Sequence, residues 1–258
     1  MIRTTLSKCA KTAGYPLSEE QLSQFSDYAD MLSEWNQKMN LTAITEPFEV
    51  AAKHFADSLF GLSFIGEHAN VIDVGTGAGF PGIPLKIARP GISLTLLDSL
   101  NKRLTFLNAV VAELKLSDTT TIHSRAEDGA AKKSPLRERF DVSVSRAVSQ
   151  LNVLSEYCLP YVKVGGVFLA YKGGDIKEEL DVAKNAISLL GGEINDVFRY
   201  TIPQTDIAHS IIVIKKMRPT PEKYPWLLGN ISKQPLFRLR QIILRYFFVF
   251  KYVEMLFP

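Results

Sequence analysis

The sequence predicts an α/β protein whose sheet is mostly parallel, ends on an antiparallel strand and is preceded by a helical N-terminal extension. Three observations carry that reading. From residue 70 onward short β-rich runs alternate with helical ones, the pattern of βαβ units with a sheet covered on both faces. Glycine stands at every second position after the first of those runs, at Gly75, Gly77 and Gly79. Residues 1–65 carry helical rather than strand periodicity.

In the N-terminal part, Ser18 and Gln21 stand at capping-box spacing, and Leu22, Phe25, Tyr28, Ala29, Leu32 and Trp35 then recur at three and four. Residues 36–40 break the pattern. A second helical run follows Pro47, with Val50, Ala51, His54, Phe55, Ser58 and Leu59 near one face. Strands are then expected at 71–74, 93–97, 119–122, 140–144 and 167–171, and helices at 102–114, 151–159 and 176–190. After Gly191 and Gly192 the alternation stops. Residues 193–202 and 210–215 read as two strands joined by a turn carrying Pro203 and Asp206, which closes the sheet with an antiparallel pair. Pro219, Pro221 and Pro225 end the domain. The expected division is a helical lobe (1–65), a sheet domain (66–218) and a basic, apolar tail (219–258).

Of 258 residues, 46% are apolar and 22% charged, which excludes disordered, collagen-like and coiled-coil chains. The net charge is only +3, yet from Lys215 onward nine basic residues face two acidic ones. Such asymmetry can steer a protein toward nucleic acid or a membrane surface. Cys9 and Cys158 form neither a disulfide framework nor a zinc pattern. Residues 1–14 hold no continuous apolar block, so no secretory leader is expected. The most apolar stretch, 242–250, is interrupted by Arg245 and far short of the ~20 residues a membrane crossing needs. No membrane span and a cytoplasmic location are expected.

The run Val71-Ile-Asp73-Val-Gly75-Thr-Gly77-Ala-Gly79-Phe80-Pro-Gly82 takes an apolar strand into a glycine loop and then a helix. Ligands of open α/β sheets bind at the carboxyl ends of strands, so this loop faces a site. The third glycine comes one residue earlier than in the dinucleotide fingerprint, and Asp73 precedes the first by two. A carboxylate there suits a cationic ligand better than a pyrophosphate, and S-adenosylmethionine fits that description. Asp98 ends the second strand run, where a carboxylate accepts ribose hydroxyls or caps the next helix. Ala126 and Glu127 follow the third run, where an adenine edge would lie. A nicotinamide or flavin nucleotide, or a turn that binds nothing, remains open on these residues alone.

The acceptor is constrained by what surrounds the fourth strand. An Asn/Asp-Pro-Pro-aromatic loop, suited to exocyclic amines, does not occur, and Cys158 lies in an apolar helical run ill-suited to a nucleophile. Arg146 follows that strand, where a guanidinium can fork onto a phosphate or a guanine edge, or pair with Asp73 or Glu127. Guanine N7 has a lone pair and no proton to remove, which matches a site without an evident general base. Lys172 ends the fifth run and His54 sits on the second helix; each reads equally or better as a structural residue.

Residues Asn36-Gln-Lys-Met-Asn40-Leu-Thr42, Lys53-His-Phe-x-Asp57-Ser58-Leu, the glycine run through Gly82, Leu97-Asp98-Ser-x-x-Lys102-Arg103, Ser124-Arg-Ala-Glu127 and Ser145-Arg146-Ala together resemble one family. It is that of the small-subunit ribosomal RNA guanine-N7 methyltransferases, also called the glucose-inhibited division protein B family, and the resemblance spans roughly residues 15–225. It implies a Rossmann-like, class I methyltransferase sheet dependent on S-adenosylmethionine, acting on N7 of one guanine in the decoding region of 16S ribosomal RNA, free or in the small subunit. Gly75, Phe80, Ala126, Glu127 and Arg146 then inherit cofactor contacts, beside Gly77 and Asp73 of the loop. Asp98 takes the ribose, Arg146 is the catalytic candidate, and His54 with Lys172 lies on the RNA side. Residues 226–258 depart from the family's ending and read as a packed helix, an amphipathic surface or an irregular extension. A nicotinamide-dependent oxidoreductase and a non-catalytic RNA-binding protein are the competing functions.

Overall fold

Ser18 opens the long helix of the N-terminal part as its spacing predicts: its side chain accepts from the Gln21 N–H while Gln21 Oε1 accepts from the Ser18 N–H. The structure is a computed structural model describing residues 2–226 together with Ile231 and Leu236. Helices α1 (Ile2–Thr12) and α2 (Glu19–Met39) come first, and α2 buries Leu22, Phe25, Tyr28 and Leu32, the stripe read from the sequence. Asn40 stops it in the left-handed conformation.

The run after Pro47 is less regular than expected. A single turn, α3 (Pro47–Glu49), passes into a π-helical stretch (Val50–Ala56), then α4 (Asp57–Leu59) and a 3₁₀ turn (Phe60–Phe64). The Asp57 N–H reaches back five residues to the Ala52 carbonyl. Each residue added to a helical turn rotates the succeeding side chains by about 100°, and such bulges recur at functional sites. Here Asp57 and Ser58 are completely buried.

The sheet contains β1 (Asn70–Val74), β2 (Ser93–Asp98), β3 (Thr119–His123), β4 (Phe140–Arg146), β5 (Val162–Gly173), β6 (Gly192–Thr201) and β7 (Ala208–Lys216). Between them run α5 (Gly82–Ala88), α6 (Asn101–Glu113), α7 (Ala126–Gly129), α8 (Leu151–Cys158) and α9 (Lys177–Leu189). The strand order is β3-β2-β1-β4-β5-β7-β6. Every pairing is parallel except those of β7, which inserts antiparallel between β5 and β6. The expected antiparallel close is therefore present, with the last strand internal rather than at the edge. β5 begins earlier than its apolar run suggests, because a register shift against β4 absorbs Gly165, at φ +87°, and Gly166.

One cluster of buried side chains joins Leu6, Phe25, Tyr28 and Phe55 of the N-terminal helices to Ile83, Leu96 and Phe106 beside the sheet. A second, on the other face, gathers Ile72, Phe140, Leu154, Phe168 and Ile187 and takes in Tyr224 and Leu236. Arg137 fastens the chain beyond β7 by donating to the carbonyls of Thr220, Pro221 and Tyr224. The remainder of the basic, apolar tail lies outside the described residues.

Candidate active site

β1 is flanked by β2 on one side and β4 on the other, so the order reverses at its carboxyl end and a crevice must open there. A cavity of about 800 Å³ lies at that point. Gly75, Gly77 and Phe80 line it from the β1 loop, Asp98 from β2, Ala126 and Glu127 from α7, and Arg146 from β4. His54 and Thr42 close it from the N-terminal part. The residues singled out after four different strands thus meet in one place.

Asp73 is the exception. It does not line the cavity. Its carboxylate is fully buried beneath the loop, where Oδ2 accepts from Thr76 Oγ1 and the Gly82 N–H, both at 2.8 Å. Oδ1 has no partner among the described residues. Burial pushes its pKa up to about 7, against the lowering effect of those hydrogen bonds and of Arg146. The side chain therefore braces the loop from below rather than meeting a cationic ligand directly.

The loop lies close over this brace. Gly75 is at φ +70°, and a Cβ there would come within 2.9 Å of Val148 Cγ2. Gly77 is at φ +61°, and a Cβ there would meet nothing within 4 Å, so the space beside its backbone is open. Its N–H donates to Asp98 Oδ2 at 2.9 Å. Asp98 also accepts from the Leu100 N–H through Oδ1 and from Arg103 through Oδ2. A carboxylate offers about four lone-pair sites, so capacity for one further donor remains. Glu127, almost buried, stands 3.7 Å from the Arg125 guanidinium.

Arg146 pairs with neither Asp73 nor Glu127. Its Nη1 donates to Asp57 Oδ2 at 2.8 Å and reaches the Lys53 and His54 carbonyls, and its guanidinium carbon lies 5.1 Å from the centre of the Phe80 ring. Nη2 lies 3.2 Å from His54 Nδ1. Guanidinium has no lone pair to offer, so Nδ1 is the acceptor and the ring hydrogen sits on Nε2, donating to Thr42 Oγ1 at 2.8 Å. Burial, then the charge of Arg146, lowers the His54 pKa to about 3, so the ring is neutral. It stacks on Phe80 with centroids 4.4 Å apart. His54 thus belongs to the cavity wall, which a lone helical histidine did not announce.

Asp57 is the residue that sequence reasoning missed as a partner. Its Oδ1 accepts from Tyr200 Oη at 2.7 Å and His209 Nδ1 at 2.8 Å, so it ties α4 to β4, β6 and β7 at once. Only its place in the Lys53–Leu59 motif marked it. Lys172, by contrast, is held away from solvent: Nζ donates to the Ser149 carbonyl at 2.6 Å and pairs with Glu179, whose carboxylate also receives the Leu151 N–H. Cys158 is fully buried, its thiol pKa raised by desolvation, and cannot act as a nucleophile. Among the described residues no cluster suited to a metal ion is present, and no helix is long and apolar enough to cross a membrane.

A family model described as GidB, rRNA small subunit methyltransferase G, matches residues 21–207. The chain is 49% identical over 233 residues to a ribosomal RNA small subunit methyltransferase G of Clostridium perfringens, covering 90% of this chain and 97% of that one. It is 51% identical over 237 residues to the protein of the same name from Alkaliphilus oremlandii, covering 91% and 99%. Among solved structures, P. horikoshii TYW2 in complex with MeSAdo shares the fold at a TM-score of 0.50 and 12% identity, covering 62% of this chain and 61% of that one.

Proposed function

This chain belongs to the rRNA small subunit methyltransferase G family, and we propose on that premise that it methylates N7 of a single guanine in the decoding region of 16S ribosomal RNA, using S-adenosylmethionine. The residues present suit that cofactor. Gly77 leaves open space beside its backbone, Asp98 keeps an acceptor site for a ribose hydroxyl, and Ala126 with Glu127 stands where an adenine edge would lie. When bound, the cofactor supplies a methyl group on a sulfonium, and its transfer to N7 leaves a neutral thioether and a positively charged purine.

The observation that carries the acceptor assignment is Arg146. Its guanidinium ends β4 on the cavity wall, and two of its five N–H bonds, one on Nη2 and that of Nε, have no acceptor among the described residues. Donors of that kind suit guanine O6, which would set the neighbouring N7 toward the cavity. N7 carries no proton, so the site needs no base, and the neutral His54 is consistent with that. The His54 ring, stacked on the buried Phe80, borders the cavity where a planar base would lie. The same reading makes the protein a cytoplasmic enzyme that meets ribosomal RNA or the small subunit.

The test is incubation with methyl-labelled S-adenosylmethionine and small-subunit particles lacking the modification, followed by mass mapping. One 7-methylguanine is expected. Label on another atom, or none, would overturn the assignment. Arg146→Ala should abolish transfer, whereas a protein that only binds RNA would lose some affinity.

A further inference from the structure

A guanidinium on the wall of a site where positive charge arrives on the acceptor poses an electrostatic problem. Left bare, it would oppose the charge developing on the purine. The structure answers with Asp57, completely buried, whose carboxylate sits 2.8 Å from Arg146 Nη1. Asp57 is itself held: Tyr200 Oη and His209 Nδ1 both donate to its other oxygen. Tyr200 stacks on Phe60 at 4.0 Å between centroids, which fixes the phenol. The neighbouring backbone reaches the same guanidinium, through the Lys53 and His54 carbonyls. Ala147, immediately after Arg146, is at φ +56°, a conformation costly for a residue with a Cβ. Strain of this kind persists only where surrounding contacts enforce it.

We infer that Asp57 is a positioning residue for methyl transfer: it aims Arg146 and neutralises it, with Tyr200 and His209 holding the carboxylate from strands β6 and β7. The inference rests on the guanine-methyltransferase reading above. Asp57, together with His209, lines an adjoining cavity of about 340 Å³ that shares His54, Arg146 and Ala147 with the larger one, and Asp57 is absent from the larger one's wall. It therefore acts through Arg146. A group that acts this way alters turnover more than cofactor or RNA binding.

The experiment uses the full-length protein with small ribosomal subunits lacking the modification, and compares Asp57→Asn, Tyr200→Phe and His209→Phe. Asp57→Asn keeps the shape and removes the charge. Its kcat should fall on the order of 10²-fold, with KM for the subunit and the Kd for S-adenosylhomocysteine each changed less than about threefold. Tyr200→Phe and His209→Phe each remove one donor and should lower kcat by about three- to tenfold while remaining folded. In an Arg146→Lys background, where the fork between Asp57 and His54 is lost, the same changes should shrink to less than about twofold. Effects that multiply unchanged in that background, or a loss confined to KM or cofactor binding, would overturn the inference. Should Asp57→Asn fail to fold, the Tyr200 and His209 variants decide by the same criteria. A wild-type protein that leaves the subunit unmethylated would instead defeat the parent reading.

Discussion

Gly77 and Asp98 are bonded to each other: the Gly77 N–H donates to Asp98 Oδ2 at 2.9 Å, tying the loop after β1 to the end of β2 across the mouth of the cavity. Gly77→Ala would keep the bond but place an L residue at φ +61°, costing roughly 1–2 kcal/mol, with its methyl in open space. A modest fall in melting temperature and at least a tenfold (about 1.4 kcal/mol) loss of S-adenosylhomocysteine affinity by calorimetry are expected.

Gly79→Ala provides the contrast. Its Cβ would lie 2.6 Å from Tyr28 Oη and 2.7 Å from Ile83 Cγ1, inside the packed core rather than beside the cavity. Overpacking of that kind costs roughly 1–3 kcal/mol in addition to the strain at φ +99°. Thermal denaturation should show Gly79→Ala as clearly the less stable of the two.

Asp73 makes stability depend on pH in a definite direction. Its folded pKa is raised to about 7, above the ordinary carboxylate value of about 4, so between the two the folded state holds a proton that the unfolded state has released. Its contribution therefore declines as pH rises from about 4 to about 7 and is flat beyond. Asp73→Asn retains an oxygen for Thr76 and Gly82 and has nothing to titrate. The difference in melting temperature between wild type and this variant should shift in the variant's favour from about pH 5 to about pH 8. A constant difference would show that Asp73 titrates normally.

Lys172→Met should act on the segment after β4 without touching the cofactor. It removes the ion pair with Glu179 and the donor to the Ser149 carbonyl, in a place where both partners are mostly buried. A loss of roughly 1–3 kcal/mol in denaturant unfolding is expected. Glu179→Gln keeps an acceptor for the Leu151 N–H and should cost less. If Lys172 served RNA instead, the methionine variant would be fully stable and would raise only KM.

Ser18→Ala removes one half of the capping box on α2 and should cost about 1 kcal/mol, leaving kcat unchanged. Gln21 has a second duty, since its Nε2 donates to the Ile87 and Ala88 carbonyls at the end of α5. Gln21→Ala should therefore be the more damaging of the two in thermal melts.

The amino-acid order alone determined those features whose causes are local. The strands at 71–74 and 93–97 arise from short apolar runs between turn residues, that at 119–122 from β-branched Thr119, Thr120, Thr121 and Ile122, and the α2 stripe from its spacing of three and four. The glycine loop was legible because positive φ at Gly75, Gly77 and Gly79 demands that residue type. Strand order then places residues that come after successive strands at one end of the sheet, which is why Asp98, Ala126, Glu127 and Arg146 were recognisable as a group. Partnership, by contrast, was decided by the tertiary structure. Asp57 meets Arg146 across 89 positions and His209 across 152, and nothing in either neighbourhood specifies the other. Asp73 points beneath its loop because the pleat turns that side chain toward Gly82 and Leu96. β7 enters between β5 and β6 because an antiparallel strand there satisfies both neighbours' backbone groups. Local periodicity reports which face of an element is buried; which charge lies opposite depends on how the elements pack.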